Sequence, residues 1–257
     1  MYIAGSDFDG TLNRGGVSER DRDAIHRFRQ AGNLFGLVTG RDYWMYETLR
    51  RENIEFDFVL ALNGAMAIRE DGSYHYFEAE PNTDNCIGAI AAFLGENYRT
   101  WLSTVLDRER HTFATDPSFN RDSTLLPSEA AKLTAFTQMN TAFRSDEDAR
   151  NAVAQINTRW GHTVNALQNG TCVDIPPAGV DKGTGIARYA SIVGVPDDNI
   201  YCIGDNMNDM AMITRFHGCA VANARNEVKA AAEFTFDSVG ALLDHILALE
   251  KPEKLKK

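Results

Sequence analysis

Short apolar segments alternate with helical patterns over the first 64 residues, and this alternation leaves the chain few possible folds. The apolar segments are "YIAGSDF", "LFGLVTG" and "FDFVLALNG", and the segments between them, "VSERDRDAIHRFRQAG" and "RDYWMYETLRREN", have helical spacing. Ser18 is placed to cap the first helix, and Gly32 to follow its end. Because strand–helix–strand–helix–strand is typical of a parallel sheet with right-handed crossovers, we predict an α/β protein with a Rossmann-like parallel sheet.

The pattern changes after residue 64 and returns near residue 179. "AMAIREDGSYHYFEAE" predicts a hairpin around Asp71-Gly72, and the stretch from Pro81 to Pro177 mixes helices with strands. These strands include "TWLSTVL", "KLTAFTQM" and the hairpin "HTVNALQNGTCVDI". After "PPAGVDKG", helices again alternate with buried strands. The sequence therefore predicts a core domain of residues 1–80 and 179–257, interrupted by an α+β domain of residues 81–178.

Charge and cysteine content narrow the class of protein. The 257 residues include 26 Lys and Arg against 36 Asp and Glu, a formal net charge of −10. This balance argues against non-specific nucleic-acid binding and against a polybasic membrane surface. No run approaches the roughly 18 apolar residues of a membrane helix, and the first residues lack a signal-peptide pattern. The four cysteines have no CxxC spacing, and we expect a cytoplasmic, reduced protein without nucleic-acid or membrane partners. Since nothing in the sequence requires an oligomer, we also expect a monomer.

Polar residues collect where the predicted parallel strands end. They are Asp7, Asp9 and Thr11 after the first strand, Thr39, Gly40 and Arg41 after the second, Asn63 after the third, and Asp205, Asn208 and Asp209 in "GDNMND", with Lys182 before a helix. Ligands of open parallel sheets bind outside these strand ends. Four carboxylates cannot stay ionised together without a cation, and hard oxygen ligands favour Mg²⁺ over zinc. The sequence therefore predicts a magnesium site at this edge.

In this order the segments resemble the haloacid dehalogenase-like hydrolases, and more narrowly their Cof-type phosphatases of class IIB. The resemblance rests on "DFDGTL", "VTGR", Lys182 and "GDNMND", with "LNGA" after the third strand and an insertion of about a hundred residues. It implies the core of that family with an inserted α+β cap of the class IIB type. It also implies Mg²⁺-dependent hydrolysis of a small phosphomonoester, such as a sugar phosphate or related metabolite, through an aspartyl-phosphate.

The resemblance also implies roles for the residues at the strand ends. Asp7 is expected to be the nucleophile and Asp9 the general acid and base. Mg²⁺ is expected to bind Asp7, the backbone carbonyl of Asp9 and Asp205, with Asn208 and Asp209 in support. Thr39 and Lys182 are expected to bind phosphoryl oxygens in catalysis, and the further substrate-binding candidates are Thr11, Gly40, Arg41 and Asn63.

Three other functions stay open from the sequence. A phosphomutase or phosphotransferase of the same fold shares the first and last motifs and excludes water after the first step. A phospho-acceptor signalling domain also combines acidic residues, Thr and Lys around Mg²⁺, but it is a single compact module. A binding protein that has lost turnover is the third, although no motif position is damaged.

The inserted domain carries the weakest resemblance, so it leaves the substrate open. A second domain is expected to exclude water and to select the substrate. Within it, "ERHTFATDPSFNRD" is predicted to be a polar loop, with His111 and Arg121 as candidates for substrate selection.

Overall fold

The computed structural model describes residues 1–106, 109–115 and 124–249. The chain forms two compact units, one of Met1–His75 with the chain from Lys182 onward, and one of Tyr76–Asp181. Within the described ranges, every helix is too short or too polar to cross a membrane.

The first unit begins with three parallel strands, two helices between them and a hairpin. These elements are β1 (Ile3–Ser6), α1 (Glu19–Gln30), β2 (Leu34–Val38), α2 (Trp44–Arg51), β3 (Phe58–Ala61), β4 (Met66–Arg69) and β5 (Tyr74–Tyr76). Helix α1 begins as predicted, because the Ser18 hydroxyl accepts a hydrogen bond from the amide of Asp21. Strand β4 runs antiparallel to β3, and Gly72 in the turn to β5 has a positive φ of 82°.

Among the residues that the structure describes, the second unit combines a mainly antiparallel sheet, in which only β8 and β9 pair parallel, with two α-helices. Its elements are β6 (Glu80–Pro81), α3 (Cys86–Tyr98), β7 (Leu102–Leu106), β8 (Glu109–Phe113), β9 (Thr124–Leu125), β10 (Ala135–Phe136), β11 (Gln138–Ala142), α4 (Asp146–Trp160), β12 (Leu167–Asn169) and β13 (Cys172–Ile175). Its main sheet has the order β12-β13-β11-β7-β8-β9, while β6 pairs with β10. Apolar residues of α3, α4 and one face of the sheet, among them Leu94, Ile156, Met139 and Val173, form its core.

The chain then returns to the first unit and completes its sheet. The returning elements are α5 (Lys182–Val193), β14 (Ile200–Gly204), α6 (Met210–Ile213), β15 (His217–Val221), α7 (Asn226–Ala231), β16 (Phe234–Phe236) and α8 (Val239–Leu249). The sheet has the order β16-β15-β14-β1-β2-β3-β4-β5, and the strands from β16 to β3 are parallel. The predicted α/β fold class is confirmed. The carboxyl ends of β1, β2, β14 and β15 therefore meet at one edge, where such sheets bind ligands.

The structure corrects three local predictions. "KLTAFTQM" is two strands of different sheets, β10 and β11, separated at Thr137, whose amide and hydroxyl both donate to the Val105 carbonyl at 3.1 and 2.6 Å. The predicted polar loop begins with strand β8, in which His111 pairs with Thr104 of β7. Backbone pairing forms this strand, and its polar side chains gave no strand signal. Strand β16 was not predicted at all, and Arg121 lies outside the described residues.

Asp57 connects three elements of the first unit through its carboxylate, which predicts a large effect on stability. It accepts hydrogen bonds from Arg29 of α1, at 3.1 Å from Nε and 2.9 Å from Nη2, and from the Phe35 amide of β2 at 2.8 Å. We expect Asp57→Ala to lower the free energy of unfolding by about 2 kcal/mol, since Arg29 and the amide both lose this acceptor. Urea unfolding measures the loss.

A more exposed ion pair of the same unit supplies the control. Asp244 accepts a hydrogen bond of 2.6 Å from Arg27, and both side chains are about half exposed. Asp244→Ala should cost less than about 0.5 kcal/mol, because solvent screens such pairs. Equal losses in the two variants would contradict the role assigned to Asp57.

Candidate active site

Asp7 and Lys182 form a buried ion pair at the carboxyl end of β1. Asp7 directly follows the strand, and its amide donates to the carbonyl of Ile203 in β14 at 3.0 Å. Lys182 is the first residue of α5, and its Nζ lies 2.6 Å from Asp7 Oδ1. The Lys182 side chain is fully buried, so its ammonium depends on carboxylate partners rather than on water.

Asp209 positions both Lys182 and the turn that follows β14. Its Oδ1 accepts from Lys182 Nζ at 2.6 Å, and its Oδ2 accepts from the backbone amides of Asp205 and Asn206 at 2.9 and 3.0 Å. The close packing requires a glycine at position 204, because a Cβ there would lie 2.5 Å from atoms of the Asp209 side chain. Asp209 therefore connects Lys182 to the turn after β14, and both of its carboxylate oxygens accept hydrogen bonds.

The carboxylate of Asp205 lies against the loop that follows β1. The Thr11 hydroxyl donates to Asp205 Oδ1 at 2.9 Å. Gly10 has a φ of 83°, and a Cβ on it would lie 2.6 Å from Asp205 Oδ2. A side chain at position 10 would therefore be strained in the backbone and would displace the carboxylate. The glycine in "DFDG" is explained by this contact.

Three acidic side chains meet one lysine in this part of the described structure. One oxygen each of Asp7, Asp205 and Asp209 lies within 4.8 Å of the others. Burial raises the pKa of Asp7 to about 8, with Lys182 opposing the rise, and burial also raises the pKa of Asp205. Burial disfavours a charge on Lys182, but Asp209 and Asp7 outweigh it and hold the lysine pKa well above its ordinary value. Without a cation the site therefore keeps a proton on Asp7 below about pH 8, and a divalent cation bound at the cluster would favour the ionised carboxylates instead.

The donor atoms at this cluster fit a hard cation. Those of Asp7 and Asp205 are carboxylate oxygens, which suit Mg²⁺ better than zinc. Because both oxygens of Asp209 already accept hydrogen bonds, Asp7 and Asp205 are the better placed pair of ligands.

The ends of β2 and β3 form one hydrogen-bonded pair of turns. The buried Thr39 donates its amide to the Leu60 carbonyl at 2.9 Å, and its own carbonyl accepts from the amide of Asn63 at 2.9 Å. Its hydroxyl accepts from the amide of Arg41 at 3.1 Å, across Gly40. Asn63 is buried with a positive φ of 53°. The structure thus brings these four predicted residues together beside β1.

Asp9 has its own partner and is separate from the three clustered acids. Its two carboxylate oxygens accept from Nε and Nη2 of Arg41, each at 2.7 Å. The two acidic side chains of "DFD" therefore pair with different basic residues, Asp7 with Lys182 and Asp9 with Arg41, although they lie only two residues apart.

Two residues near the site were missed by the sequence analysis. Asn223 donates through Nδ2 to the Gly10 carbonyl at 2.8 Å, and the amide of Arg225 donates to the Asp205 carbonyl at 3.0 Å. Both follow β15, the next parallel strand, so the strand-end rule applied to this strand as well would have found them. Asn208, which was predicted, lies buried in the turn of residues 207–209.

The chain is similar in sequence to known phosphatases. A model of the haloacid dehalogenase-like hydrolases matches residues 5–241. Over 237 residues the chain is 24% identical to the 5-amino-6-(5-phospho-D-ribitylamino)uracil phosphatase YcsE of Bacillus subtilis, spanning 90% of this chain and 88% of that protein. A phosphoglycolate phosphatase of Methanothrix thermoacetophila is 34% identical over 92 residues, 33% of this chain and 41% of the relative.

Solved structures agree with the fold described above. The subclass IIB sugar phosphatase BT4131 has a TM-score of 0.78 and 20% identity, with 96% of this chain and 99% of the other covered. The phosphatase BT1666 of Bacteroides thetaiotaomicron has a TM-score of 0.76 and 21% identity, covering 97% of this chain and 95% of the other. These similarities confirm a core with an inserted second unit of the class IIB arrangement.

Proposed function

The chain belongs to the haloacid dehalogenase-like hydrolases, and from this we infer that it is a phosphatase acting on a small phosphomonoester. The observation that carries the proposal is Asp7, a buried carboxylate held 2.6 Å from the ammonium of Lys182 and beside Asp205. Phosphoryl transfer requires an oriented nucleophile and positive charge around the phosphoryl oxygens. In this cluster Asp7 is the oriented nucleophile. Lys182 carries one positive charge, and the carboxylate oxygens can bind a cation that adds more.

The proposed reaction has two steps at Asp7. In the first, a carboxylate oxygen of Asp7 bonds to phosphorus, the bond to the leaving alcohol breaks, and Asp9 donates the proton that the alcohol oxygen needs. In the second, water attacks the phosphorus of the aspartyl-phosphate, and the bond between phosphorus and the Asp7 oxygen breaks, which restores the Asp7 carboxylate. Asp9 accepts a proton from that water, and inorganic phosphate leaves. Asp9 is proposed for both transfers from the family resemblance, and its carboxylate is paired with Arg41 rather than with the clustered acids.

The binding groups are proposed from the same edge of the sheet. Asp7, Asp205 and the backbone carbonyl of Asp9 would hold Mg²⁺, which when bound stabilises negative charge on the phosphoryl group. Asp209 and the buried Asn208 would keep that turn in place. Thr39 and Lys182 are proposed to contact the phosphoryl oxygens, within the region that also contains Thr11, Gly40 and Asn63.

The second unit is proposed to be a cap that selects the leaving group. One face of its sheet is apolar core, and the alternate residues Asp174, Asn140, Ser103 and Thr112 form one row across four neighbouring strands. The hydroxyls of Ser103 and Thr112 lie 2.7 Å apart. A row of hydroxyl, amide and carboxylate groups suits a polyhydroxylated substrate such as a sugar phosphate.

Phosphate release from a panel of phosphorylated sugars and metabolites, with and without Mg²⁺, tests the function. Mg²⁺-dependent release from at least one of them is expected, and the ranking identifies the substrate class. A phosphomutase would instead require a bisphosphate activator and would release little phosphate. If no compound of the panel released phosphate in the presence of Mg²⁺, the proposal would be contradicted.

Magnesium should also stabilise the folded protein. At a hundredfold excess over its Kd, a ligand adds about 2.7 kcal/mol, which for a protein of this size corresponds to roughly 5–10 °C in Tm. We expect most of this shift to disappear in Asp205→Asn, measured by differential scanning calorimetry. The shift should be larger at pH 8 than at pH 6, because below pH 8 a proton on Asp7 competes with the cation.

The variant Asp244→Asn removes an exposed acid that pairs with Arg27 and is not part of the cluster, and it should keep the full shift. A stabilisation by Mg²⁺ that persists unchanged in Asp205→Asn would place the cation elsewhere.

A further inference from the structure

Arg41 holds Asp9 with a two-pronged contact. The guanidinium donates from Nε to Asp9 Oδ2 and from Nη2 to Asp9 Oδ1, and both distances are 2.7 Å. Parallel contacts of this kind fix the plane and the rotamer of a carboxylate as well as its position. The side chains are 48% and 50% exposed, so without the contact Asp9 would be free to sample several rotamers.

Arg41 itself is held by two backbone hydrogen bonds and by a contact of its side chain with Phe8. Its amide donates to the Thr39 hydroxyl at 3.1 Å, and its carbonyl accepts from the amide of Leu62 at 2.8 Å. Its guanidinium carbon lies 5.5 Å from the centre of the buried Phe8 ring, the residue between Asp7 and Asp9. The arginine is thus tied to the ends of β2 and β3 and to the loop that carries Asp9.

From this geometry we propose that Arg41 is a positioning residue that holds the Asp9 carboxyl group where it exchanges a proton with the leaving group. The proposal depends on the function inferred above for Asp9. This role differs from the substrate contact expected for Arg41 from the sequence. Nε and Nη2 of the guanidinium both donate to Asp9, so this edge of the group does not face a substrate. Losing the arginine would let Asp9 rotate away, which should slow proton transfer more than substrate binding.

The dependence of rate on the leaving group tests this role. An alkyl phosphate needs a proton at the departing oxygen, whereas p-nitrophenyl phosphate releases a stable anion without one. For an alkyl phosphate that the enzyme accepts, Arg41→Ala should lower kcat by about 10- to 100-fold, a part of the roughly 10²- to 10⁴-fold that acid–base catalysis supplies. With p-nitrophenyl phosphate the first step, measured in a single turnover as release of p-nitrophenolate, should slow by less than about threefold, because this leaving group needs no proton. Hydrolysis of the aspartyl-phosphate, in which Asp9 also acts, is common to both substrates. KM for the alkyl phosphate should change less than about threefold.

A double-mutant cycle with Asp9→Asn links the effect to Asp9. If Arg41 acts through Asp9, Arg41→Ala should lower kcat little further once Asp9 is already Asn. Arg41→Lys should recover only part of the loss, since an ammonium keeps the charge but not the planar pair of donors. The matched control is Arg27→Ala, which removes an arginine of similar exposure, 51%, from its pair with Asp244 and should leave kcat unchanged.

Two results would overturn the proposal. A KM that rises for every substrate at constant kcat would make Arg41 a substrate ligand. An equal loss of kcat in the wild-type and Asp9→Asn backgrounds would show that Arg41 acts independently of Asp9. If instead Asp9→Asn itself left the alkyl phosphate rate unchanged, the role of Asp9 in the proposed function would fail, so the two failures are distinguishable.

Discussion

Asp7→Asn should lower kcat by about 10³- to 10⁶-fold, the largest effect expected of any single change in this protein. The amide keeps the shape of the side chain and can still accept from Lys182, but it cannot form the acyl phosphate. Phosphate release at saturating substrate and Mg²⁺ measures the loss. A variant within tenfold of the wild-type rate would contradict Asp7 as nucleophile.

The same substitution should not destabilise the metal-free fold. Burial raises the Asp7 pKa from 3.8 to about 8, so its protonated form favours the folded state. That contribution is complete below about pH 4 and is lost as the pH rises through 8, because the folded protein must then either keep a proton or bury a charge. Asparagine resembles the protonated form, so Asp7→Asn should melt at a higher temperature than the wild type at pH 9 without metal. Thermal unfolding at pH 5 and pH 9 checks the sign.

Lys182→Met should have the second largest effect, on both activity and stability. It leaves the carboxylates of Asp7 and Asp209 buried without their ammonium, and breaking a buried ion pair on one side costs about 3–5 kcal/mol. Activity should fall by at least about 10³-fold, since positive charge near the phosphoryl group is removed as well. The stability loss should be smaller at pH 5 than at pH 8, because burial raises the pKa of Asp7 to about 8 and this carboxyl group is therefore protonated at pH 5.

A compensating variant separates the structural from the catalytic role of Lys182. Lys182→Met combined with Asp209→Asn removes one buried charge of each sign. The side-chain oxygen of the new asparagine can still accept a hydrogen bond from the backbone amide of Asp205. We expect the double variant to regain most of the lost stability in urea unfolding but no activity. Recovery of activity would show that Lys182 serves only to neutralise Asp209.

Sequence reasoning found the site through one rule and left its internal contacts undetermined. Asp7 and Asp205 were placed together because each follows a parallel strand, which needs only the order of apolar segments. The contact of Arg41 with Asp9 spans 32 positions and depends on two side-chain rotamers, so no spacing rule reveals it. The same is true of Asp209, whose acidic character suggested a metal, although its oxygens are occupied by Lys182 and two amides.

The local errors in the fold have a similar origin. "KLTAFTQM" has the composition of one strand, and only the contacts of Thr137 with Val105 divide it between two sheets. Strand β8 is defined by its hydrogen bonds to β7, while its polar side chains have no apolar alternation. In both cases a partner distant in sequence determined the structure.

The position of β1 in its sheet also affects how the nascent chain can fold. One neighbour, β2, is synthesised within 40 residues, but the other, β14, begins at Ile200. Until then β1 is an open edge, and Asp7 has no ammonium partner, because Lys182 lies 175 positions further along. Unpaired edges favour association with other chains, and such non-local pairing folds slowly. The ion pair of Asp7 with Lys182 can therefore form only late in synthesis, after the whole inserted unit has been synthesised.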